Sequence, residues 1–235
     1  MKRLLAAALI SLSFGSFAAA RPAPPLNGSH AIRVDAVTAT LTDASQANAA
    51  EPVAPAIVVD RDSVRAALAF AREKNSRAFH LYATAGVYPS NVTSPKLLNV
   101  WRDQDGHYCA AATVMRSTNP DLAKRIGDDN NNLRLATVDS GDVMSWILTT
   151  GFTQEELVTI QKPFMPVTER PVPHPVAHVD VNAELRAAET RRLRTLYTGI
   201  ETQLRTQREK SLDIATDRLL AHPALAAEVV AALRS

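Results

Sequence analysis

Asp103-Gln104-Asp105-Gly106 stands between two runs of strand-favouring residues, 97–102 and 107–115, and no other stretch restricts the fold as sharply. Gly accepts φ > 0 without a Cβ clash, so an Asp-Gly step between such runs predicts a β-hairpin. With an even-length loop, Leu98, Val100 and Arg102 share a face with His107, Cys109 and Ala111. Trp101 and Tyr108 then become cross-strand neighbours on the other face, whereas a three-residue loop with a bulge changes that pairing. Ala110-Ala111-Ala112 is poor strand material and suits a strand covered closely by a helix. Gly86 to Asn91 reads as a turn that feeds the hairpin from a preceding helix.

Around the hairpin the helix signals are local. Asp60 or Asp62 caps a helix carrying Val64, Ala67, Leu68 and Ala71, which should fade near Asn75-Ser76. Asn119-Pro120-Asp121 starts another, with Asn as cap and Pro at the first helical position. Leu133 to Val138 is expected to return as a strand beside the hairpin. A helix precedes Gly151, and Thr153 opens a capping box with Glu156. The last two helices flank a glycine as in a helix-turn-helix, but the second lacks Lys and Arg, so a nucleic-acid partner is not expected. From Val181 to about Ala221 apolar residues keep a three-four spacing, broken near Thr206 to Arg208, and Leu225 to Leu233 makes a closing helix after Pro223. The stripe is thin, so this arm must pack on the domain, fold back on itself or meet another copy. The expected fold class is α+β: a small antiparallel sheet centred on a hairpin at about 97–115, several short helices, and a long C-terminal helical arm.

Met1-Lys2-Arg3, an apolar run from Leu4 to Phe17 and Ala18-Ala19-Ala20 have the three parts of a secretory signal peptide, with cleavage near Ala20. The run is too short for a bilayer of about 30 Å, and no later segment reaches the ~18 apolar residues of a transmembrane helix. The division expected is a signal peptide at 1–20, an Ala/Pro-rich spacer at 21–59, a compact domain at 60–161, a Pro-rich linker at 162–180 and the arm at 181–235. The destination is periplasmic or secreted. A single cysteine forms no disulfide within its own chain, so stability must come from burial. A formal net charge of +2 does not call for an anionic partner.

The chemistry-bearing residues are few. Cys109 is the one thiol, and His107 or His80 would have to serve as its base within about 3 Å. Two residues apart on a strand, His107 and Cys109 stand roughly 6.6 Å apart along the backbone. Tyr88, Asn91, Trp101 and Tyr108 are the candidate binding residues, for a turn-lined pocket or for sugar rings. No metal ligand set is expected. Read as a calcium loop, Asp103-Gln104-Asp105-Gly106 would place Trp101 and Ala112 at ligand positions, and Pro173 and Pro175 forbid the helix that would pair His174 with His178. No cofactor motif is present. Asn27-Gly28-Ser29 and Asn91-Val92-Thr93 match glycan acceptors, though none is expected to be used in a bacterial chain. The leading expectation is therefore a non-catalytic exported interaction module, its arm docking a protein partner or a second copy. The alternatives are a small thiol-dependent or cofactor-free hydrolase built on Cys109, and an aromatic-faced binder of cell-wall glycan.

Overall fold

A computed structural model describes residues 59–172 and 179–234. The expected signal peptide, nearly all of the spacer, and the linker residues 173–178 with both of its histidines lie outside the described residues. The described chain is helical: α1 Arg61–Ala85, α2 Ala110–Arg116, α3 Pro120–Asp129, a 3-10 turn Leu135–Thr137, α4 Gly141–Thr149, α5 Gln154–Ile160, α6 Ala183–Thr206, α7 Arg208–Leu220 and α8 Pro223–Arg234.

The α+β expectation is corrected. Among the described residues there is no strand or sheet, only the isolated bridges Asn91 to Pro166, Leu98 to Phe164 and Arg102 to Tyr108. The hairpin shrinks to one turn. Asp103 N–H donates to His107 O at 2.9 Å and Cys109 N–H to Trp101 O at 2.9 Å, which pairs Arg102 with Tyr108 around a three-residue loop. Gly106, at φ +82°, closes that loop as the left-handed residue of a bulged hairpin. Trp101 therefore faces Cys109, not Tyr108. The second run never continues as a strand, because Cys109 caps α2 and the alanines after it turn helical. Alanine has the highest helix propensity and nothing to pack on a pleated surface. Residues 133–138 likewise give a 3-10 turn where a strand was expected.

Helix α1 is the axis of the fold. The Asp60 carboxylate accepts from Ser63 N–H at its start, and Gly86, at φ +68°, caps its end. It runs past Asn75 because that amide is buried and donates to Thr150 O at 2.9 Å, a tertiary bond that a local reading cannot see. Its first half packs Val64 and Leu68 against Leu212, Leu219, Ala226 and Val230 of α7 and α8. Its second half joins the larger core, where Phe79 and Tyr82 meet α2 and Leu193, Tyr197, Ile200 and Leu204 of α6. Short α2 is sealed inside: Ala110, Ala111, Ala112, Val114 and Met115 are all buried, against α1, α3 and α5. Small side chains let those helices approach closely. Two devices lock α1 in place. The Arg72 guanidinium is buried and donates to both Glu156 oxygens (2.8 and 2.7 Å), to Gly151 O and to Leu204 O. On the surface, Arg61 and Arg65 pair with Asp217, Asp213 and Glu209 of α7.

Candidate functional site

The residues singled out by their chemistry do not converge on one site. Cys109 is 1% exposed, and its Sγ accepts from Ala112 N–H at 3.4 Å as the cap of α2. Burial pushes the thiol up to about 12, away from a nucleophile's range. His80, on α1, is exposed and lies 3.0 Å from Glu201 of α6. His107 is half-buried, its Nδ1 3.2 Å from Asp103 Oδ2. Trp101 is buried and donates from Nε1 to Ala123 O at 2.8 Å. Tyr88 is buried, its hydroxyl donating to Ala83 O, with its ring tilted against Tyr82 and Tyr197. No face of these rings is open to a sugar. Tyr108 alone is half-exposed, with the Arg116 and Arg102 guanidinium groups 4.5 and 5.8 Å from its ring centre. Asn91 is fully buried and ties two loops together, donating to Lys96 O and Phe164 O and accepting from Ser94 N–H. An amide so enclosed offers no acceptor to a glycan.

Asp103, Asp105 and His107 bring one potential ligand atom each within 4.8 Å of one another. The buried Asp103 carboxylate is already occupied, however. It accepts from Ser90 N–H at 2.9 Å, Asp105 N–H at 3.0 Å and His107 N–H at 2.8 Å, besides the His107 ring. These bonds fix the turn onto the segment after α1, which accounts for Asp103 by structure alone.

A different place has the form of a binding site. Helices α1, α4 and α8 and the start of α3 enclose an open groove of about 620 Å³, within the size range of ligand sites. Trp146 of α4 is buried there, held by a 3.1 Å bond from Nε1 to Thr118 Oγ1. Phe70 of α1 and Leu233 of α8 stand at the groove 65% and 41% exposed. Asn75, 1% exposed, also lines it, and its Oδ1 has no hydrogen-bond partner among the described residues. An apolar cleft with a few polar groups is the usual composition of a recognition site. None of these residues carries a chemical signature in sequence. The one signal was Phe70 itself, a large ring on the polar side of a helix whose apolar stripe runs through Val64, Ala67, Leu68 and Ala71.

No described helix is long and apolar enough to cross a membrane. Comparison of the chain with protein-family models, with curated proteins and with solved structures finds no match.

Proposed function

We propose that this chain is an exported, non-catalytic interaction module whose working surface is the groove between α1, α3, α4 and α8. The observation that carries the reading is the pair Phe70 and Leu233, large apolar side chains left in water beside a cleft with Trp146 in its wall. Exposed apolar side chains that border a cleft form the kind of patch that marks interaction sites, which isolated ones do not. Export rests on the basic, apolar and small-residue order of residues 1–20. The non-catalytic reading is supported by Cys109, sealed in the core with its thiol protonated, and by His80 and His107, which lie beside Glu201 and Asp103 and make no bond to that thiol.

Docking through the C-terminal helices takes a changed form in this reading. The apolar stripes of α6 and α7 lie against α1, so the arm contributes to recognition through α8, one wall of the groove. A photo-crosslinking phenylalanine analogue placed at Phe70 in the producing cell tests the proposal. The expected result is a discrete adduct at that position and none at Leu81, which is equally exposed on α1 but outside the groove. Equal labelling from both positions, or no adduct from Phe70, would overturn it.

A further inference from the structure

We draw no further inference here: the strongest candidate, the groove lined by α1, α3, α4 and α8, belongs to the site already described, and nothing in the structure shows what covers it.

Discussion

A thiolate at Cys109 would have to form where water does not reach, and the consequence is measurable at both ends of the pH scale. At neutral pH a thiol-reactive dye should label the native protein no faster than it unfolds, and label it at once in denaturant; rapid native labelling would reopen the thiol chemistry. At alkaline pH the sign is set by linkage. The unfolded thiol ionises near 9.0 and the folded one near 12, so folding holds a proton that the unfolded chain releases. Its contribution is whole below pH 9 and is lost between about 9 and 12, with a slope of up to about 1.4 kcal/mol per pH unit. Burial raises the Tyr82 and Tyr197 hydroxyls in the same sense. Cys109→Ala should therefore make the decline of stability above pH 9 shallower without abolishing it, as read from urea unfolding at several pH values. Gly151 gives a second residue-scale test. At φ +75° it meets the Leu68 carbonyl and comes so near Arg72 that an added Cβ would sit 2.8 Å from the Arg72 Cβ. A Cβ added at Gly106, at φ +82°, would meet nothing within 4 Å. Gly106→Ala carries backbone strain alone, about 1–2 kcal/mol, whereas Gly151→Ala adds overpacking against α1 and should cost about 3–5 kcal/mol. Equal losses in the two variants would mean that the packing of α1 on the α4–α5 turn has been misjudged.

At the scale of elements, Glu156 serves two masters, completing the Thr153 capping box of α5 and accepting both ends of the Arg72 fork. Removing the cation leaves a buried carboxylate that keeps a hydrogen bond from Thr153 N–H, so Arg72→Met should destabilise by about 3–5 kcal/mol. Adding Glu156→Gln neutralises the stranded charge while keeping an acceptor for the cap, and the double variant should recover part of that loss in urea unfolding. A double variant less stable than Arg72→Met would show that the cap, not the charge, dominates. The capping box was legible in the sequence because caps act over three residues, and so were the Asn119-Pro120 start, the break near Gln207 and the closing helix after His222. What was not legible depended on partners distant in the chain. Val100, Trp101 and the run after His107 have strand-like composition, yet a strand needs a neighbour, and among the described residues this stretch makes single bridges at Leu98 and Arg102 and no ladder. Without a ladder to join, Ala110 to Ala112 followed their own propensity into α2. The same argument explains Trp101 and Asn91. Aromatic and amide side chains look available in a list of residues, and only burial shows that their donors are spent on Ala123, Lys96 and Phe164. The groove was illegible for the converse reason: its walls come from α1, α3, α4 and α8, and apart from Phe70 none of its residues is unusual alone.

For the whole molecule the decisive relation is between α1 and the helices after residue 182. Leu193, Tyr197, Ile200, Leu204, Leu212 and Leu219 are all buried, and they close both core clusters over α1. Burying each such side chain is worth about 1.5–3 kcal/mol, so together they match the 5–15 kcal/mol by which a whole domain is ordinarily stable. A chain ending before Ala183 would strip the cover of α6, α7 and α8 from Phe79, Tyr82, Val64 and Leu68, leaving the partial cover of α2 for the first pair and of Leu148 for the second. Such a truncation should show no cooperative thermal transition and should bind a dye specific for exposed apolar surface. Truncation after His222 is a milder change, because α8 supplies two buried residues, Ala226 and Val230, to the second cluster, with Leu225 and Val229 partly buried beside them. It should lower Tm yet keep a cooperative transition, and it should abolish the Phe70 crosslink along with the α8 wall. The two deletions therefore separate the arm's part in stability from its part in recognition. If the shorter chain, ending before Ala183, instead folds cooperatively as a monomer, α6 and α7 are an appendage, and the groove cannot owe its shape to the core that they complete.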